Sequence, residues 1–148
     1  MMAGLLPMGR PTHYLTPLLS ADAHRWSLVV ERTGEPLAVH VETAFDSKAR
    51  NRGLLGRDGL PPGTALVIAP SNSIHTFFMR FPIDVVYTDR NGLVLKLRRH
   101  VKPWRLSGCA RAFAVIEMAA GAIERVALER GDRLSCRNVN VTSDQTDS

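Results

Sequence analysis

The sequence predicts a mainly β domain: a small closed or partly closed β-barrel of about seven or eight short strands with two short helices. Three observations point there. Short runs rich in Val, Ile, Leu, Phe and Tyr recur between Gly, Pro, Asn and Asp turn signals, as at Thr64–Ala69, Ile83–Thr88 and Ala112–Met118. Only two stretches carry helix start and stop signals. Strands do not alternate with helices in the manner of a doubly wound sheet, and closing the strands on themselves would remove exposed edges.

The elements follow in chain order. Residues 1–23 lack periodicity and carry three prolines, so they are expected to form a disordered N-terminal arm. Trp26–Glu31 and Leu37–Val41 read as the first two strands, joined through Thr33-Gly34-Glu35-Pro36. Asp46 is placed to cap a helix over Ser47–Leu55 that stops at Gly56. Gly53 inside so short a helix costs about 1 kcal/mol relative to Ala, which close packing against another backbone would explain. After the rigid Leu60-Pro61-Pro62-Gly63 connector comes the strand Thr64–Ala69.

A hairpin is expected over Ile74–Phe81, Ile83–Thr88 and Leu93–Arg98, interrupted at Pro82 and reversed at Asp89-Arg90-Asn91-Gly92. Arg99–Arg111 reads as a basic loop, Ala112–Met118 as a strand and Ala122–Leu128 as one or two helical turns. Gly131 supplies a positive-φ position before the closing strand Arg133–Val139. Residues 24–141 thus form a single domain, followed by a frayed tail at 142–148.

At 148 residues, 45% hydrophobic and 22% charged, the chain suits one globular domain with a real core. Its longest apolar runs are far too short to cross a bilayer. Pro7, Arg10 and Pro11 interrupt the opening MMAGLLPMGRPTHYL before it resembles a secretory signal, so the chain reads as cytoplasmic. Cys109 and Cys136 lie 27 positions apart, without Cys or His at zinc-ligand spacing. They read as two buried or half-buried thiols, with a disulfide or redox pair as the alternative. No cofactor and no metal is called for.

In order along the chain, several pieces resemble the prokaryotic family known as domain of unknown function 192. They are Arg52-Gly53-Leu54-Leu55-Gly56-Arg57 and Leu60-Pro61-Pro62-Gly63, then Phe78-Met79-Arg80 followed by Pro82-Ile83-Asp84-Val85-Val86-Tyr87 and the turn to Gly92. Last comes Val115-Ile116-Glu117-Met118-Ala119-Ala120-Gly121, ahead of Gly131-Asp132. The match runs over roughly Val39 to Leu134. It implies a compact, mostly β, barrel-like domain and names no activity. Many relatives carry a secretion signal and an Asn beside the motif's Met. This chain has Arg80-Phe81 there, with His75 upstream, so chemistry built on that Asn could not operate here.

Five ionisable residues stand out. Asp84 and Glu117 interrupt otherwise apolar strands, and a buried carboxylate must be paired or hydrogen-bonded. Arg52 and Arg57, at the end of the first helix, are the expected partners of Asp84, either as a structural tie or facing a small anion. His75 follows a polar loop, at a rim position. In a regular strand His75 and Met79 would lie about 13–14 Å apart, too far to share a copper ion, so Met79 reads as core filler.

The leading expectation is therefore a binding module. Arg52, Arg57, His75, Asp84 and Glu117 would line a polar cleft for a small anionic or sugar-like ligand, or for a peptide of a protein partner. An enzyme using His75 as general acid/base beside Asp84 is the alternative. There is no nucleophile elbow, Walker pattern or Gly-rich phosphate cradle. The net charge of +5 includes a basic cluster, Lys48, Arg50, Arg52 and Arg57, and a second over residues 96–105. The latter could meet nucleic acid, but Trp104 is its lone aromatic, which makes this the weakest of the three readings.

Overall fold

The computed structural model describes residues 13–20 and 23–139. Among the described residues ten strands form: β1 (Trp26–Val30), β2 (Pro36–Ala38), β3 (His40–Ala44), β4 (Thr64–Ile68), β5 (Ser73–His75), β6 (Ile83–Thr88), β7 (Val94–Val101), β8 (Leu106–Gly108), β9 (Ala114–Ala119) and β10 (Leu134–Asn138). The two helices are α1 (Ser47–Arg52) and α2 (Ala122–Arg125). The mainly β expectation with two short helices holds. The barrel does not: the strands divide into a five-stranded sheet β3-β4-β9-β6-β7, a three-stranded sheet β10-β1-β2 and a two-stranded ribbon β5-β8.

Burial explains why. Every residue of β4 and of β6 is buried, as is nearly every residue of β9. Strands covered on both faces read as continuous apolar runs, whereas a half-wet barrel wall alternates. One face of the five-stranded sheet carries Ala65, Val67, Val86, Ile116 and Met118 and packs with Leu28, Val30 and Leu134 of the three-stranded sheet and Ile123 of α2. The opposite face carries Leu66, Ile68, Ile83, Val85, Tyr87 and Val115 and lies under Leu54, Leu60 and Met79.

Three further differences from expectation are local. The anticipated strand Leu37–Val41 divides at Val39, so its halves join different sheets. β3 and β4 pair in parallel across α1, a strand–helix–strand unit that the sequence did not suggest. Within the stretch expected to be loose, Tyr14 donates its N–H to Arg90 (2.9 Å), its hydroxyl meets Thr88 Oγ1 at 2.7 Å, and Leu15 is 0% exposed. Apolar contacts distant in sequence anchor this part of the arm, which local composition cannot reveal. Residues 1–12 and the tail 142–148 fall outside the described residues.

The β6–β7 hairpin forms with the expected reversal, and Asp89 Oδ1 accepts from Asn91 N and Leu93 N (2.8 and 3.0 Å). Gly92, at φ +85°, is required there, because a Cβ would collide with the Leu134 carbonyl oxygen and press on the Tyr14 ring. Among the described residues, no helix is long and apolar enough to cross a membrane.

Candidate functional site

α1 sets one wall of the site. Asp46 caps it as expected, its Oδ1 accepting from Ala49 N at 2.8 Å. The helix ends earlier than expected, at Arg52. Gly53 is its C-cap, at φ +48°, ψ −128°, so left-handed backbone explains this glycine better than tight helix packing does. Arg50 is tied down by donating from Nη1 to Phe45 O at 2.6 Å.

Beneath this helix end lies a cavity of about 240 Å³, lined among others by Arg50, Arg52, Ser71, His75, Met79 and Glu117. Glu117 comes from the middle of β9. It is 3% exposed, and among the described residues no group donates a hydrogen bond to its carboxylate. A Cβ added at Gly53 would sit 3.9 Å from Glu117 Oε1, an ordinary contact, so the helix end lies directly above the carboxyl. Burial raises this carboxyl to about 7, opposed by the positive charge of Arg57.

Strand register places the remaining groups. Glu42, Leu66, Glu117, Val85 and Arg98 are successive partners across β3, β4, β9, β6 and β7, so they share one face. Glu42 and Glu117, two strands apart, are separated by about 9–10 Å. Arg57 serves the outer of the two. Its Nη1 and Nη2 donate to Glu42 at 3.1 and 2.7 Å, and this fork holds the Glu42 carboxyl below its ordinary value. Arg57 therefore lines a neighbouring groove with Glu42 and Arg52, and does not line the Glu117 cavity.

Asp84 is not part of the site. It is paired with Met118 in register while Glu117 is paired with Val85, and this single step of parity puts the two carboxylates on opposite faces of the sheet. Asp84 is 0% exposed and fully answered by backbone: Oδ1 accepts from His100 N (2.9 Å), and Oδ2 from Gly121 N (3.1 Å) and Ile123 N (2.9 Å). It fastens the end of β7 and the start of α2 to the central sheet. The expected Asp84–arginine tie is absent, and so is the His75–Asp84 pair on which the enzyme reading depended.

His75 holds the rim position expected of it, exposed on β5 and lining the cavity. Its Nδ1 accepts from Phe77 N at 3.3 Å. The expected strand to Phe81 stops here, because Met79 N donates back to Thr76 O (3.2 Å) and closes a turn. His75 and Met79 consequently face one cavity, and the distance argued from a regular strand does not apply. Among the described residues no group of three or more His, Cys, Asp or Glu is arranged to hold a metal ion. Both cysteines are free, with Cys109 packed near one face of the central sheet and Cys136 near the other.

The same turn creates a feature missed by the strand reading. Phe78 (φ +67°) and Trp104 (φ +68°) both hold left-handed backbone, which costs about 1–3 kcal/mol each in a non-glycine residue. Thr76 over-determines them. Its Oγ1 donates to Lys102 O (2.7 Å) and accepts from Arg105 N (2.9 Å), while its carbonyl accepts from Trp104 N (2.9 Å). The outcome is an exposed aromatic shelf, with Trp104 stacked on Phe77 at 5.8 Å and tilted against Phe78 at 4.6 Å. Phe78 is 70% and Trp104 56% exposed. A buried threonine inside an aromatic run was the one signal in the sequence.

The fold and cavity define a mainly β domain built on a mixed five-stranded sheet, with an ionisable pocket at a helix end. The chain belongs to the uncharacterised family DUF192, which it matches over residues 28–136. It is 33% identical over 107 residues to a UPF0127 protein of Pyrococcus furiosus, covering 68% of this chain and 90% of that one. Two solved structures share the fold. A Sinorhizobium meliloti protein described as a candidate transcription regulator superposes with a TM-score of 0.65 at 21% identity, covering 75% of this chain and 91% of that one. A Novosphingobium aromaticivorans protein of unknown function gives 0.60 at 19% identity, covering 65% and 74%.

Proposed function

We propose that this domain is a binding module whose Glu117 cavity receives a small hydroxylated anion, such as a sugar phosphate or hydroxy acid. The observation that carries the reading is the Glu117 carboxyl, buried at the cavity and hydrogen-bonded to none of the described residues. Its oxygens open onto the cavity, where a ligand hydroxyl would meet them whether the carboxyl donates or accepts. At the cavity mouth the Arg52 guanidinium favours negative charge on the rest of the ligand, and the second ring nitrogen of His75 is free to hydrogen-bond it. Pockets with a few convergent polar groups and a perturbed ionisable residue are where ligands bind. The cavity suits a ligand of few atoms, not a long peptide.

A thermal-shift screen against sugar phosphates, hydroxy acids and neutral sugars tests this. A ligand at about 100 times its Kd stabilises by about 2.7 kcal/mol, which raises the Tm of a chain this size by roughly 5–10 °C. The shift should vanish in Glu117→Leu and shrink in Arg52→Ala. Silence across all three ligand classes would defeat the proposal, as would a hit that both variants retain in full.

A further inference from the structure

The aromatic shelf lies outside the Glu117 cavity and asks for a different occupant. Two loops build it, 76–80 and 102–106, and both are poor in acid. Residues 91–116 contain six Lys or Arg and no Asp or Glu. Within the shelf loops themselves Lys102 and Arg105 are exposed, and the Arg105 guanidinium donates to the Trp104 carbonyl at 3.3 Å, beside the indole. Arg80, in the first of these loops, is engaged by the carboxylate of Asp58 at 2.6 Å. Exposed rings held in left-handed backbone, with the basic side chains of Lys102 and Arg105 beside them, therefore occupy one surface.

We infer that Phe78 and Trp104 form a stacking platform for single-stranded nucleic acid, with Lys102 and Arg105 meeting its phosphates. Bases stack on aromatic rings regardless of sequence, and a basic track follows the backbone; this pairing is what single-strand binders use. A folded protein partner fits the surface less well. Only three exposed large apolar side chains, Phe78, Trp104 and Leu106, are gathered here, and a protein partner does not call for a basic rim. The structure also removes the sequence-level objection that Trp104 stands alone, because the turn at Thr76 delivers Phe77 and Phe78 to it.

Anisotropy of a fluorescein-labelled oligothymidylate of about 12 nucleotides, within the usual footprint of such platforms, measures the interaction with the full chain. Binding at low salt should weaken as salt rises, with a log–log slope of about −0.7 per phosphate contact. Phe78→Asn and Trp104→Asn keep a residue tolerant of positive φ while removing the ring, and each should weaken binding on the order of tenfold. Thr76→Val should also weaken it although both rings remain, and circular dichroism and Tm confirm that the variants fold. Leu19→Ala, exposed outside both shelf loops and the cavity, should bind the strand as the wild type does. The inference is overturned by no binding at low salt, by salt-independent binding, by ring variants that bind unchanged, or by thymidine monophosphate binding as tightly as the strand.

Discussion

Glu117→Gln should change how stability depends on pH, with a sign that burial fixes. The folded-state carboxyl titrates near 7 and its ordinary value is 4.5. Between those limits the folded protein retains a proton that the unfolded chain has released. The favourable balance is therefore fully present below about pH 4.5 and is lost as pH rises through about 7. At about 1.4 kcal/mol per pH unit the loss is bounded by about 3.4 kcal/mol. Water entering the cavity reduces this, so about 2–3 kcal/mol is expected. Urea unfolding of both proteins at intervals from about pH 5 to pH 8 measures it. The wild type should fall steadily relative to the variant, which ends as the more stable of the two. Glu42 and Asp132, whose ion-pair hydrogen bonds lower their titration, contribute stability that is lost only as pH falls below the ordinary carboxylate range, outside this window. His13, lowered by burial, gives an opposing slope inside the window, but it is common to both proteins and cancels. Parallel pH profiles for the two proteins would refute the reasoning.

Asp84→Ala should destabilise by about 3–5 kcal/mol in urea unfolding, since three backbone donors lose their acceptor at once; a loss under about 1 kcal/mol would mean that Asp84 fastens nothing. Leu15→Ala should cost about 2–5 kcal/mol by the same measurement, because the side chain is wholly buried in the main core. If residue 15 belonged to a loose arm, the change would be near zero.

What the sequence made legible was local. The β6–β7 hairpin follows from a β-branched run, an Asx-type turn and Gly92, all contiguous, and the α1 cap from Asp46 alone. Glu117 and Asp84 were visible as carboxylates in apolar strands, but their roles depend on register. Whether residue 117 lies opposite residue 84 or residue 85 decides which face each side chain takes, and no local pattern encodes a pairing between strands so far apart. The strand expected to reach Phe81 failed for another reason. Phe78 occupies the positive-φ turn position where Gly or Asn would have given a signal. Continuous apolar runs in β4, β6 and β9 could have argued for a sheet covered on both faces, and weighing them above strand count would have removed the barrel.

The two buried carboxylates show where this molecule departs from what stability alone would select. On one face of the central sheet Asp84 receives three N–H groups, and its burial is fully compensated. On the other, Glu117 has no such donors among the described residues, and a leucine of similar volume would serve the fold better. Two further costs lie on that second side, the left-handed backbone of Phe78 and that of Trp104, each held in place by the buried Thr76. A carboxyl that burial pushes up and that opens onto a cavity is a candidate ligand position. His100, which donates to Asp84, and Ala127, just after α2, hold positive φ as well, so strain does not separate the two faces; the proposed working face on the α1 side rests on the Glu117 cavity.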